Sequence, residues 1–393
     1  MKVLHVITGL NVGGAEAMLA RLIERDRLFG LESEVVTLMP AGVAGERMIA
    51  SGVSVQSLGM HQGLPSFAAL SSLAGIVRSS APDVVMAWMH HAQAAVQLAM
   101  IGVGRKIPVI WNVRHSLSGF AQEKLLTRVT LRALAFVSRR PAAIIYNAEA
   151  AARQYREAGF RPEREVVIPN GFAVGGLVDP TAARARLQRT FGLKPGVLTI
   201  GMIARAHPMK DVPTLVTAFA ATLGAGIEAQ LLLAGEGMDR PDGAIAAGLA
   251  GLPRGSWMAV GHRSDVGGWL AGLDMLVLPS AWGEGFPNIV GEAMTAGVPC
   301  VATDVGDAGR LIGDTGRLVP PRDPAALAVA MIELAQLGRQ GRAGLGSRAR
   351  ERVVRHYEIE AIAQRYQQLY ASVAIGTAGA IDPQVVAVRV CGT

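Results

Sequence analysis

The run Val3-Leu4-His5-Val6-Ile7 leads into Gly9-Leu10-Asn11-Val12-Gly13-Gly14-Ala15-Glu16, after which Ala15, Met18, Leu19, Leu22 and Ile23 fall at i, i+3, i+4, i+7 and i+8. A short apolar run, a glycine turn and a one-sided helix closed by Gly30 make the opening of a parallel βαβ unit. Working outward, short apolar runs at 34–38, 84–88, 108–113, 143–146 and 166–168 alternate with helical patterns. A second series follows at 197–203, 230–234, 256–260, 275–278, 299–302 and 317–319. Between them, residues 171–195 carry Gly175-Gly176 and Asp179-Pro180, the composition of a domain boundary. The expected fold class is therefore α/β, with two doubly wound parallel sheets whose strands offer their carboxyl ends to ligand and meet across a cleft.

A chain of 393 residues suits two domains, and 50% apolar with 18% charged residues excludes a disordered or fibrous protein. Two cysteines, Cys300 and Cys391, exclude a disulfide framework and a four-cysteine zinc site and fit a reducing compartment. The balance of 38 basic to 31 acidic residues points to an acidic partner, and 5% aromatic residues argue against nucleic acid. Lys2 runs directly into the first apolar stretch, so no leader peptide is expected. The uncharged windows 51–77 and 84–104 contain Pro65, His90, His91 and several Gln. They read as buried strand plus helix rather than as membrane spans.

Three places carry chemistry. The glycine turn could cradle a phosphate at the start of a helix, although a tight βα turn explains it equally well, and its spacing departs from the dinucleotide fingerprint. Arg205 and Lys210 follow a strand and precede the helical pattern at 212–219, as a diphosphate leaving group would require; solvated loop charge is the ordinary alternative. The third is Pro279-Ser280-Ala281-Trp282-Gly283-Glu284-Gly285-Phe286-Pro287-Asn288-Ile289-Val290-Gly291-Glu292-Ala293-Met294. Its two carboxylates, eight positions or about 2.2 helical turns apart, could face one side and accept sugar and ribose hydroxyls. Backbone N–H groups at Gly285–Ile289 would remain for phosphate. His115, in Trp111-Asn112-Val113-Arg114-His115-Ser116, stands at the end of an apolar strand. His90, His91 and both cysteines read as structural. Between 105 and 164, 12 Lys or Arg stand against 4 Asp or Glu. Lys124, Arg128 and Arg132 fall at i, i+4 and i+8, either a solvated helix face or a surface for anionic lipid.

These features together resemble the retaining glycosyltransferases of family 4, which use the GT-B fold of two facing Rossmann-like domains. The resemblance rests on Gly13-Gly14-Ala15-Glu16, His115 after the fourth strand, Pro169-Asn170-Gly171, Arg205 with Lys210, Gly235-Glu236-Gly237 and Glu284 with Glu292. It implies that Arg205 and Lys210 bind the donor diphosphate, that Glu284 faces the donor sugar and that Glu292 holds the ribose. It further implies that Gly285, Phe286, Pro287, Asn288 and Ile289 touch sugar and phosphate through backbone, and that His262 and Arg263 cradle the base. Gly13 and Gly14 would approach the phosphates from the other domain, with Asn170 at the crossing and His115 reaching the sugar. Met209 replaces the usual Glu before the lysine, and His356-Tyr357-Glu358 replaces a frequent Phe-Ser-Trp.

The resulting expectation is an acceptor-side domain at 1–172, a linker at 173–196 and a nucleotide-sugar domain at 197–355. A helix at 356–373 would cross back to the first domain, and a tail would occupy 374–393. The reaction expected is retaining transfer from a UDP- or GDP-sugar to a hydroxyl of a glycan or lipid-linked acceptor, in a cytoplasmic, membrane-peripheral enzyme. No cofactor is expected, and no metal, because Asp-x-Asp is missing and the protein's own cations must neutralise the diphosphate. A sugar-nucleotide 2-epimerase and a non-catalytic sugar-nucleotide-binding subunit are the alternatives.

Overall fold

The computed structural model describes residues 1–11, 13–60, 66–117, 125–176 and 178–376; Lys124 and most of the expected tail lie outside them. The chain forms two compact units, one of Met1–Gly171 with the chain from Ile359 on, the other of Phe172–Glu358.

The first unit holds a seven-stranded sheet of β1 (Lys2–Ile7), β2 (Glu32–Thr37), β3 (Ser54–Ser57), β4 (Val84–Trp88), β5 (Val109–Val113), β6 (Ala143–Tyr146) and β7 (Glu165–Val167), ordered 3-2-1-4-5-6-7. Every pairing is parallel. β4, β5 and β6 are buried at every residue, as strands with helices over both faces must be. β3 differs from the buried strand expected within 51–77: Ser54-Val55-Gln56-Ser57 is mostly exposed. It is an edge strand paired only to β2, so its polar side chains keep their water. His115 consequently follows the fifth strand, not the fourth.

The helix Ile359–Ala374 belongs to this unit and buries Ile359, Ile362, Ala363, Tyr366, Leu369, Tyr370 and Val373 in its core, the i, i+3/i+4 pattern of an apolar stripe.

The second unit holds six parallel strands, β8 (Leu198–Ile203), β9 (Ala229–Ala234), β10 (Trp257–Val260), β11 (Met275–Leu278), β12 (Cys300–Thr303) and β13 (Arg317–Val319), ordered 10-9-8-11-12-13. Residues 173–196 are not a free linker but part of this unit. The Asp179 carboxylate accepts from the Thr181 and Ala182 amides, Pro180 follows, and the helix Pro180–Phe191 ends at Gly192 in the left-handed region. Phe191 meets Trp269 edge to face at 5.5 Å between centroids. The ends of the unit are tied together, the Phe172 amide donating to the Tyr357 carbonyl at 2.8 Å and Phe172 bridging Glu358. In both sheets the strand order reverses beside the first strand, between β1 and β4 and between β8 and β11. Open α/β sheets bind ligands outside the carboxyl ends of such neighbours. Among the described residues no helix is long and apolar enough to cross a membrane.

Candidate functional site

In the second unit, the loops leaving β8 and β11 converge at that switch point. After β8 comes exposed Arg205, then a single turn Pro208–Lys210 in which His207 Nδ1 accepts from the Met209 amide at 3.2 Å. Asp211 then takes φ +46°, a conformation disfavoured for its side chain, and opens the helix Val212–Gly224. The β11 loop is stitched to this turn by the Ala281 amide, which donates to the Met209 carbonyl at 2.8 Å. Across the stitch the Lys210 ammonium donates to Glu284 Oε1, and the buried Ser280 hydroxyl donates to the same oxygen at 2.6 Å. The two charged side chains are only 15% and 10% exposed.

β12 closes the far side. Thr303 Oγ1 donates to the Ser280 carbonyl at 2.6 Å, and the Asp307 amide donates to the Gly285 carbonyl at 2.8 Å. Gly306 lies at φ +66°, where an added Cβ would fall 2.2 Å from the Glu284 carbonyl oxygen, so only glycine fits.

Phe286 is buried against Phe172, stacked at 6.1 Å, and against Tyr357 at 5.4 Å. It anchors the loop just ahead of Pro287 and the helix Asn288–Thr295, whose Val290 and Gly291 amides donate to the Pro287 carbonyl at 3.1 and 3.4 Å. Glu292 stands half-buried in the second turn. Glu284 precedes the helix, so the relation of the two glutamates is set by the Gly285–Pro287 turn and not by the 2.2-turn spacing. In Gly235-Glu236-Gly237, a Cβ at Gly235 would fall 2.0 Å from the Ala204 carbonyl oxygen, and the Glu236 carbonyl accepts from the Ala206 amide at 2.8 Å. This motif packs the β9 loop against the one bearing Arg205. His262 is exposed, whereas Arg263 is held by Asp265 through bonds of 2.9 and 2.8 Å and lies over Phe191. The guanidinium holds the Asp265 carboxyl down at about 2.

In the first unit, Gly13 and Gly14 are exposed at the start of the helix Gly14–Leu28. Asn170 is buried and accepts from Arg114, which also donates to the Tyr366 hydroxyl at 3.1 Å and lies over Trp88 at 5.4 Å. His115 is half-buried, with His90 6.1 Å away and His91 4.6 Å beyond that. Burial holds His90 uncharged, its pKa pushed down to about 3, and the two neighbouring imidazoles add to this. His90 and His91, which read from sequence as structural, come directly after β4, and β4 pairs with the strand that ends two residues before His115.

Two residues of the basic stripe are described. Arg128 is half-buried with Nε shut away from water, Arg132 is exposed, and Lys124 lies outside the described residues. The helix Leu125–Val137 turns Thr130, Leu131 and Leu134 inward and exposes Leu125 at 71%, Val129 at 54% and Phe136 at 80%. Grooves among the described residues include the following two. One, of about 440 Å³, runs from Gly13 and Glu16 past Arg21 and Arg47 to Met48. The other, of about 650 Å³, lies at the amino ends of β11 and β12, where Asp274 pairs with Arg184 and Arg342. Among the described residues no three His, Cys, Asp or Glu side chains are grouped to hold a metal.

Comparison with known proteins follows the same division. Residues 13–171 match the family described as glycosyl transferase 4-like domain, and residues 194–336 match glycosyl transferases group 1. A phosphatidyl-myo-inositol mannosyltransferase of Mycobacterium leprae is 31% identical over 53% of this chain and 54% of its own length. A Bacillus subtilis glycosyltransferase, EpsF, is 25% identical over 77% and 79%. The chain thus spans about half the length of the first of these relatives. Among solved structures, Anabaena HepE in complex with UDP gives a TM-score of 0.79 at 22% identity over 95% of this chain and all of that one. Sucrose-phosphate synthase from Thermosynechococcus elongatus gives 0.76 at 20% identity over 96% and 100%. The architecture of two parallel-sheet α/β units is the GT-B fold, and the chain belongs to the group 1 glycosyl transferases.

Proposed function

We propose that this transferase moves a sugar from a nucleoside-diphosphate donor to a hydroxyl of a glycan or glycolipid acceptor with retention, without a metal. The observation that carries the reading is the meeting of Lys210, Glu284 and Ser280 at the carboxyl ends of β8 and β11. A leaving diphosphate gains negative charge, which a poised ammonium stabilises more as the bond breaks. Arg205, exposed five residues earlier, adds a second cation, and the Ile289 amide at the start of the helix Asn288–Thr295 adds a backbone donor. Glu284 accepts hydrogen bonds from the sugar, and Glu292 takes the ribose. HepE, solved with UDP-glucose, supports a nucleoside-diphosphate hexose, UDP- or GDP-linked, as the donor class. Retention follows if the acceptor attacks from the leaving-group side, a donor phosphate oxygen taking its proton. Incubation with candidate donors, with and without glycan or lipid acceptors, tests this: acceptor-dependent release of nucleoside diphosphate in excess EDTA is expected. Loss of turnover in EDTA that Mg²⁺ or Mn²⁺ restores would overturn the metal-free part.

The membrane-peripheral reading rests on the helix Leu125–Val137, whose outward Leu125, Val129 and Phe136 would insert into anionic lipid beside Arg132. Changing these three apolar residues to Ser should reduce sedimentation with anionic liposomes at least tenfold; equal sedimentation would return the face to water.

A further inference from the structure

We infer that Ser280 is a positioning residue for donor-sugar recognition, acting through Glu284; the inference rests on the donor-binding reading above. A carboxylate oxygen offers about two acceptor sites. On Glu284 Oε1 both are taken, one by the Lys210 ammonium and one by the Ser280 hydroxyl at 2.6 Å. Among the described residues Oε2 has no partner, so a ligand hydroxyl meets one acceptor in one direction. Lys210 alone could not impose this. The terminal torsion of a glutamate is broad and nearly two-fold, so a single donor could be served by either oxygen. The second donor breaks that equivalence, and it comes from a rigid place. Ser280 is fully buried, its carbonyl is held by Thr303 Oγ1 at 2.6 Å, and the next amide, of Ala281, is fixed to the lysine-bearing turn at 2.8 Å. A serine serving only the fold would bond a nearby backbone group, as the Ser256 hydroxyl does with the Pro253 carbonyl at 2.7 Å. Ser280 instead spends its single donor on the carboxylate. It therefore sets how strictly the site reads the configuration of the sugar hydroxyl at Oε2, and it leaves the nucleotide untouched.

The test is a double-mutant cycle of Ser280→Ala, Glu284→Ala and the two combined, each first shown by circular dichroism and thermal unfolding to fold. UDP and UDP-glucose, or GDP and GDP-mannose, whichever pair the wild type binds, serve as probes. Ser280→Ala should bind the free diphosphate within about twofold of wild type and lose roughly 10- to 100-fold in kcat/KM for the sugar nucleotide, the scale of one hydrogen bond to a charged group. It should also narrow the preference between epimeric sugar nucleotides. In the Glu284→Ala background the same change should cost nothing further. Additive losses, equal weakening of diphosphate and sugar nucleotide, or an unchanged kcat/KM would each overturn the role of Ser280. Glu284→Ala with wild-type kcat/KM for the sugar nucleotide would instead overturn the donor-sugar reading of Glu284.

Discussion

Lys210 and Glu284 neutralise one another, so in the proposed reaction the ammonium has to be shared between a fixed carboxylate and a departing diphosphate. Removing it should cost about 100-fold or more in kcat; Lys210→Ala with kcat within a few fold of wild type would remove it from the reaction. Glu284→Gln keeps the shape of the side chain and some of its hydrogen bonding. It should slow turnover without trapping a covalent sugar, and mass spectrometry of the wild type held with donor alone should find no adduct on Glu284. An adduct there would make Glu284 the nucleophile and end the same-face mechanism. At Gly306 the constraint is steric twice over: positive φ, and a carbonyl oxygen of Glu284 where a Cβ would stand. Gly306→Ala should therefore lower stability by about 1–3 kcal/mol and displace the Glu284 loop, reducing activity even though no functional group is lost. Thermal unfolding and kcat both equal to wild type would show that the loop relaxes freely.

At the scale of elements, the helix Gly14–Leu28 buries Asp26 beside the helix Ile359–Ala374. Burial raises its pKa from 3.8 to about 6, against the opposing hydrogen bonds from Gln367 and Ser33, each 3.3 Å. A carboxyl raised in the folded state is easier to ionise once unfolded. The penalty is absent below about pH 4, grows between 4 and 6 and is complete above 6. Asp26→Asn should thus stabilise the protein at pH 7.5 by up to about 3 kcal/mol and change little at pH 4. Unfolding curves showing the same gain at both pH values would reject the ionisation argument. The elements themselves differed in how plainly they could be read. β8, β9, β11 and β12 are largely apolar runs of four to six residues, and burial on both faces wrote them into the sequence. Ser54–Ser57 is polar because an edge strand may stay wet, so no run marked it. In the stripe through Lys124, Arg128 and Arg132 each step of four residues advances about 40° beyond one full turn, so spacing alone could not tell that Arg128 is half-buried and Arg132 exposed. Ser280 was visible only as a neighbour of the glutamate, since a hydroxyl aimed at a carboxylate leaves no periodic trace.

For the whole molecule, the decisive feature is that Phe172–Glu358 is one unbroken stretch whose first residue bridges its last and whose sheet has its own core. Paired ends mean that excision leaves no long dangling segment and breaks no strand of that sheet. The first unit is the opposite case, because it takes seven core residues from the helix Ile359–Ala374, far along the chain. Truncation before Ile359 should therefore unfold Met1–Gly171 and spare the stretch that precedes the cut. The residues proposed for the donor, Arg205, Lys210, Glu284 and Glu292, all lie within the spared stretch. A fragment of residues 172–358 should accordingly fold with cooperative unfolding and bind UDP or GDP. At ligand a hundredfold above Kd, mass action adds about 2.7 kcal/mol, a rise in Tm of roughly 5–10 °C for a unit of this size. In the full chain the same nucleotide should shift the second unit's unfolding and leave that of Met1–Gly171 nearly in place. Scanning calorimetry of fragment and full chain decides the point: a folded fragment without any nucleotide-dependent shift, where the full chain has one, would mean that the donor site needs residues of the first unit for its affinity.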